Sequence, residues 1–581
     1  MRTPEYGSDV VVDLLKAFGI EYVALNPGAT FRGIHDSLVN YGEGKPEIIL
    51  CTHEKVAVSL AHGYARATGR PMAAFVHDVV GLLHGSMGVY YAHLDREPVL
   101  VLGATGPMDR TRRRPHVDWI HTAQVQGNAV RDFTKWDDQP ASIADFPDSF
   151  ARGYRIATTE PAGPVYICYD AGLQEDKLAR PIDIAAVVAA ARPTPVQADP
   201  AALRRVAETL ARAERPVILT EFTGRHPEAF TALIALAETL ACGVIDLGAR
   251  LNFPTRHPLN LTGGSALSDA DAVLALDVGD LSRPLVELDR DSTERTKRSR
   301  LKPGTPVIEL GLSELRQSHW ADDLGQFQPV AQSIVADTRL ALPELERLIK
   351  DVGGATRAER RKRVAAEHDA IAEKWRAEAA KERDAAPMTA PRLASEVWEV
   401  IKSSDWVLTG GTLEEWTHRI WDIDAPQRYP GRALGTATGI SLSLGVALAH
   451  RGTDKLVVDI QSDGDLMYDP GTLWTAAKYK LPLLVVMYNN RAYYNDWEHQ
   501  IRVARHRGTP VENAYVGMDI EGPAPDFATL AKSFGWYAEG PFERAEDARP
   551  ALERAAEHVR RTRTPALVDT VVQKRPQRRF R

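Results

Sequence analysis

The sequence predicts an α/β protein built from three doubly wound parallel-sheet domains. Short apolar, β-rich runs alternate with helix-like segments along the chain, which is the pattern of successive βα units. An Ala- and Pro-rich stretch (IAAVVAAARPTPVQADP) and a charged stretch (ATRAERRKRVAAEHDAIAEKWRAEAAKERDAA) cut that alternation into three blocks. The length of 581 residues suits about three or four domains at roughly 100–200 residues each.

The first block, residues 1–185, holds strand-like runs in EYVALNPG, EIILCT, PMAAFVH, EPVLVLGAT and GPVYICYD. Each is apolar and bounded by turn formers, as buried parallel strands require. A linker is expected near 186–196. The second block, 195–350, starts with a helix near 199–213 and continues through strand RPVILTEF, a helix near 227–240, and strands CGVIDLG, ADAVLALDVGD and TPVIELG. Its first strand lacks the Gly-rich turn of a dinucleotide fingerprint. Residues 351–386 are rich in charge and in helix formers, and read as an exposed connecting helix. The third block, 387–575, includes the runs LVVDI (456–460) and LLVVMY (483–488).

Bulk properties narrow the function. A net charge of −7 argues against nucleic acid as a partner, because a phosphate backbone demands a basic face. The basic end QKRPQRRFR reads as a solvated tail. Cys51, Cys168 and Cys242 are too scattered for a disulfide framework or a thiolate metal site, and a reducing cytoplasmic location fits them. No run approaches the roughly 20 apolar residues that span a bilayer, so no membrane partner is expected. MRTPEYGSDVVVDLL lacks the features of a signal peptide.

The chemistry concentrates in the third block. QSDGD follows LVVDI, at the carboxyl end of a strand, where open parallel sheets bind ligands. Pro470 can open a helix whose apolar face holds Leu473, Ala476 and Ala477, and Pro482 ends it. LLVVMY then ends in Asn489-Asn490. If the two strands are parallel neighbours, Asp463 and Asn490 meet at one edge. A hard cation such as Mg²⁺ takes a carboxylate, an amide oxygen, a main-chain carbonyl and phosphate oxygens. Gly464 would let the backbone approach a diphosphate, and a following helix N-terminus would favour its charge. The alternative is a loop of ordinary Asp, Gly and Asn turn formers.

The segment resembles the thiamine diphosphate motif of the 2-oxo acid decarboxylase and acetolactate synthase superfamily: Gly-Asp-Gly, a spacer, then Asn-Asn. Carried onto this chain, the resemblance implies Mg²⁺ held by Asp463, Asn490 and the main chain of Ala492, with Gly464 and Asp465 beside the diphosphate. Ser462 stands where the family has its first glycine, and Asp465 where a small hydroxyl residue is usual. VLTGGTLEEW resembles the loop meeting the diphosphate, implying contacts from Gly411, Thr412 and Leu413. GTATGISLSLG resembles the segment that bends the cofactor. Thr438, small and polar, stands where the family has a bulky apolar residue, so either Ile440 substitutes or the bend is maintained otherwise. Tyr493, in RAYYNDWEHQ, lies on the helix that covers the reactive carbon in relatives, and the segment after it, roughly 501–525, reads as a mobile lid.

The first block resembles the family's pyrimidine-binding domain through THEKVAVSLAHGYARATG, with weaker agreement in NPGAT and TTEPAGPVYI. It implies Glu54 as the carboxylate that promotes the imino tautomer of the cofactor. His77 matches a catalytic histidine of benzoylformate decarboxylase-like relatives. His53 and His84 lie nearby in sequence, and His116 and His121 fall where relatives place an active-site glutamine. The second and third blocks are then the central and diphosphate-binding domains. The resemblance implies a thiamine diphosphate- and Mg²⁺-dependent lyase that decarboxylates a 2-oxo acid through an enamine, working as a homodimer or homotetramer. Carboligation of the acetolactate synthase type, and a non-catalytic cofactor-binding homologue, remain alternatives.

Overall fold

The computed structural model describes residues 3–115, 119–190, 193–288, 297–316, 320, 322, 324–352 and 357–574. The N-terminal sheet has six parallel strands: β1 (Tyr22–Leu25), β2 (Glu47–Leu50), β3 (Met72–Val76), β4 (Val99–Thr105), β5 (Trp136–Asp138) and β6 (Val165–Asp170), in the order β2-β1-β3-β4-β6-β5. The central sheet has β7 (Pro216–Thr220), β8 (Gly243–Asp246) and β9 (Ala272–Leu276). A small antiparallel pair, β10 (Val286–Leu288) with β11 (Lys297–Ser299), interrupts it before β12 (Val307–Gly311) and β13 (Gln332–Val335). Its order, β13-β12-β9-β7-β8, is a doubly wound arrangement. The C-terminal sheet holds β14 (Trp406–Thr409), β15 (Leu456–Ser462), β16 (Leu483–Asn489), β17 (Tyr537–Phe542) and β18 (Ala566–Val571), in the order β14-β15-β16-β18-β17, all parallel. The α/β expectation holds in each block.

The strands are buried on both faces, as their unbroken apolar runs require. One face of the N-terminal sheet packs on helices Gly7–Ala17 and Phe146–Thr158 through Val10, Leu14, Phe146 and Phe150. The other face is covered by helices Glu54–Thr68 and Asp78–Leu94 of the same domain, and the first of these packs in turn on the C-terminal domain. Val56, Val58 and Leu60 of helix Glu54–Thr68 share one apolar core with Ile440, Leu442 and Leu444 of helix Gly439–Ala449, from the C-terminal domain. The two helices touch backbone to backbone. A Cβ on Gly63 would lie 2.0 Å from the Leu442 carbonyl oxygen, and one on Gly445 would lie 2.0 Å from that of Leu60. Only glycine fits at this crossing.

The connecting helix differs from expectation. It spans Ala358–Ala379 but is not simply a solvated spacer: Val364, His368 and Trp375 are buried along one side. Arg360 donates to the Leu240 carbonyl (3.0 Å), and His368 Nδ1 lies 2.8 Å from the Asn260 carbonyl. The surplus charge sits on the remaining faces, and long arginine stems cover the central domain. The expected irregular segment 501–525 also begins as helix, since Tyr494–Arg507 continues into it. The basic tail from residue 575, and His116, lie outside the described residues.

Candidate active site

β15 pairs with β16 in a register that sets Ser462 opposite Tyr488, so both strands end together. Asp463 opens a short helix, Asp463–Tyr468, and Asn490 follows β16 directly. The Ala492 N–H joins them. It donates to Asp463 Oδ2 (3.2 Å) and to Asn490 Oδ1 (3.0 Å), while the Gly464 N–H meets Asp463 Oδ1 at 2.9 Å. Burial pushes the Asp463 carboxyl up to about 6, against these backbone hydrogen bonds. A buried carboxylate and an amide oxygen gathered around one main-chain turn are the donor set of a hard cation, whose charge would reverse that desolvation. The residues fit Mg²⁺. The neighbouring Asn489 does a different job: its side-chain N–H donates to Asp569 Oδ1 at 3.0 Å, inside the sheet.

Glycines open the space beside this set. A Cβ on Gly464 would lie 2.5 Å from the Tyr493 ring, so the tyrosine lies directly on that backbone. Gly411 faces the Ala433 carbonyl, which a Cβ would meet at 2.3 Å. Gly410 (φ +84°) and Leu413 (φ +63°) turn the loop after β14. Leu413 is buried and Thr412 half-buried. Thr438 spends its hydroxyl on the Gly435 carbonyl (2.8 Å), and Ile440 is enclosed in the interdomain core. Behind the loop, Asp459 has both oxygens buried without a hydrogen-bond partner among the described residues. Burial pushes its carboxyl up to about 8, and the nearby Asp465 carboxyl adds to the rise.

The N-terminal sheet presents its own carboxyl edge. Glu54 begins its helix after β2 and is buried. His77 follows β3 and stands at the N-cap position of helix Asp78–Leu94 without a side-chain capping bond. Its Nδ1 lies 2.9 Å from Thr30 Oγ1 in the NPGAT turn, and Gly28 passes its ring so closely that a Cβ would lie 2.4 Å from His77 Cβ. Gly81 lies against both residues: a Cβ there would be 2.9 Å from Glu54 Oε1 and 3.2 Å from His77 Cβ. His84 Nδ1 lies 3.2 Å from Glu54 Oε2, and its ring stacks on His53 at 4.8 Å. His121 meets the His77 ring edge-on at 5.7 Å. Sequence reasoning singled out Glu54 and His77 and gave His84 less weight. The signal was the spacing His77, Gly81, His84, which is one face of a helix.

The two edges approach each other within one chain. Lys55 Nζ, next to Glu54, pairs with Asp469 Oδ2 at 2.6 Å, six residues beyond the Asp463 turn. A Cβ on Gly471 would lie 3.1 Å from Thr52 Oγ1. Tyr91, on the His77 helix, lies 2.6 Å from Thr436 Oγ1. What the arrangement could do chemically follows from its two halves: one offers oxygens and open backbone to a cation and a charged group, and the other offers a carboxyl and imidazoles able to exchange protons.

Comparison with known proteins finds matches in both of these regions. Residues 6–129 match the thiamine pyrophosphate enzyme N-terminal TPP binding domain, and residues 409–570 match the C-terminal TPP binding domain. The chain is 24% identical to a probable acetolactate synthase 2 of Oryza sativa subsp. japonica, covering 97% of this chain and 83% of that protein. It is 26% identical to a probable 2-ketoarginine decarboxylase of Pseudomonas aeruginosa, covering 90% and 87%. In fold it is similar to a benzoylformate decarboxylase structure from Polynucleobacter necessarius, with a TM-score of 0.77 at 19% identity over 99% of this chain and 100% of that one. Among the described residues, no helix is long and apolar enough to cross a membrane.

Proposed function

The chain carries both TPP binding domains of the thiamine pyrophosphate enzymes, and from that premise we propose that it is a thiamine diphosphate- and Mg²⁺-dependent lyase that decarboxylates a 2-oxo acid. The observation that carries the proposal is the β15–β16 register, which gathers Asp463, Asn490 and Ala492 into one oxygen-rich turn within reach of the Glu54 edge. When bound, thiamine diphosphate supplies a carbon nucleophile for the ketone and takes up the electron pair left by departing CO₂.

The chain's own residues do the rest. Asp463, Asn490 and the Ala492 carbonyl would hold Mg²⁺, with Gly464 and the Gly411–Leu413 loop beside the diphosphate. Glu54 would hold and exchange a proton with the aminopyrimidine, and its burial shields that exchange from water. His77, oriented by Thr30, can pass a proton near neutral pH. Tyr493 would close the pocket over the Gly464 turn. We further propose a homodimer or homotetramer and a cytoplasmic location. The three buried free cysteines suit a reducing compartment.

The test is incubation with thiamine diphosphate, Mg²⁺ and a panel of 2-oxo acids, with CO₂ and organic products measured together. CO₂ with an aldehyde is the expected result. CO₂ with a 2-hydroxyketone would move the reading to carboligation, and cofactor binding without CO₂ from any acid would leave a non-catalytic binder.

A further inference from the structure

The residue that departs most from the motif, Asp465, has its partners away from the cation set. Its Oδ1 accepts the Ala437 N–H, its Oδ2 accepts Gln461 Nε2 (3.0 Å), and the Gly439 N–H also donates to it. Its donors therefore come from the loop that precedes helix Gly439–Ala449 and from its own strand. That loop is conformationally demanding. Gly435, Thr436 and Ala437 have φ of +83°, +49° and +66°. Two of the three carry a Cβ, and one is β-branched, so the left-handed region is unfavourable there. The helix it leads into has no side-chain cap of its own, because Thr438 turns its hydroxyl back to Gly435. Its first N–H groups need acceptors. Asp465 supplies one for Gly439, and one for Ala437 in the loop before it, from another element, and Gln461 holds the carboxylate in place. On the other side, Tyr91 grips Thr436.

We propose that Asp465 is a positioning residue, a remote helix cap that locks the strained 435–439 loop into the shape of the cofactor pocket, rather than a ligand of the metal or a contact of the diphosphate. The inference rests on the proposed thiamine diphosphate site. It also accounts for a second carboxylate so close to an anionic group: Asp465 is engaged by N–H donors and occupies the helix N-terminus that would otherwise attract an anion.

The experiment is calorimetric titration of the full chain with thiamine diphosphate at saturating Mg²⁺, and with Mg²⁺ at saturating thiamine diphosphate. Asp465→Asn turns an amide NH₂ toward N–H donors. It is expected to raise the Kd for thiamine diphosphate about tenfold or more, the scale of a charged hydrogen bond. The Mg²⁺ midpoint is expected to stay within about twofold. Adding Thr436→Gly and Ala437→Gly to Asp465→Asn removes the loop's strain and is expected to restore most of the affinity, which a general loss of stability would not allow. Gly439→Ala, whose Cβ would lie 2.8 Å from Asp465 Oδ2, is the second route to the same weakening if Asp465→Asn does not fold. Unchanged thiamine diphosphate affinity in these variants overturns the inference, as does a larger shift in Mg²⁺ than in thiamine diphosphate, or a failure of the glycine pair to rescue. Absence of binding to the wild-type chain overturns the cofactor reading itself, and the inference with it.

Discussion

The carboxyl edges of the N-terminal and C-terminal sheets are the same architectural place, built from the same βα logic, yet they are furnished differently. The C-terminal edge holds oxygens and glycines: Asp463, Asn490, Gly411 and Gly464. The N-terminal edge holds one carboxyl and four imidazoles: Glu54, His53, His77, His84 and His121. The central sheet furnishes its edge differently again, with groups that satisfy one another: Asp246 takes the side-chain and backbone N–H of Asn252, and Asp277 takes the Thr338 hydroxyl. The difference teaches that sheet topology offers a place and side chains choose its use. One edge gathers oxygens around an open turn, one gathers a carboxyl and imidazoles, and one holds itself together.

The sharpest way to break that division is to exchange its consequences. Asp463→Ala should abolish Mg²⁺-dependent retention of thiamine diphosphate, raising its Kd by about a hundredfold or more, because a charged ligand is lost from a buried site. Glu54→Gln should leave that Kd within a few-fold while lowering CO₂ release by about 10²–10⁴. Calorimetry and CO₂ detection on the same preparations check both. Equal loss of binding in the two variants would erase the distinction.

The joint between the edges comes next. Gly63→Val must push a side chain into the Leu442 backbone, and overpacking of this kind costs about 1–3 kcal/mol or more. Urea unfolding should report that loss, whereas the same substitution at Gly522, where a Cβ meets nothing within 4 Å, lacks the clash.

A third test uses pH. Asp459 in the folded chain holds its proton up to about 8 against an ordinary 3.8. The folded state therefore binds the proton more tightly. The stability this contributes is complete below about pH 3.8 and is lost as pH rises through about 8. Wild-type stability should fall across pH 5–8 by up to about 1.4 kcal/mol per unit from this group. Asp459→Asn, which cannot ionise, should show a shallower slope in urea unfolding at each pH. The smallest effect belongs to His84→Gln. The exposed His84 ring contributes one hydrogen bond to Glu54, so CO₂ release should change by less than about fivefold.

Much of this was legible in the sequence where the signal is local. LVVDI and LLVVMY announce two buried strands, and once they are parallel neighbours, Asp463 and Asn490 have to meet. The helices expected near 199–213 and 227–240 appear at Pro200–Arg212 and Pro227–Leu240. What was not legible depends on partners distant in sequence. Nothing beside Asp465 says that its carboxylate will find the Ala437 and Gly439 N–H groups. Nothing in Asn489-Asn490 says that the first amide belongs to Asp569 and the second to the site. The docking of helix Ala358–Ala379 was hidden because three buried positions in a long charged run hardly alter its periodicity.

The glycine crossing of helices Glu54–Thr68 and Gly439–Ala449 also sets a timetable for synthesis. The N-terminal sheet leaves the ribosome first, but the helix that packs on the outer face of helix Glu54–Thr68 is encoded more than 250 residues later. At roughly 5–20 residues per second, that face waits on the order of ten to fifty seconds for its cover. During that interval the nascent chain displays the glycine-notched Leu60–Tyr64 side of that helix to the cell, and the last domain to be made finishes the first.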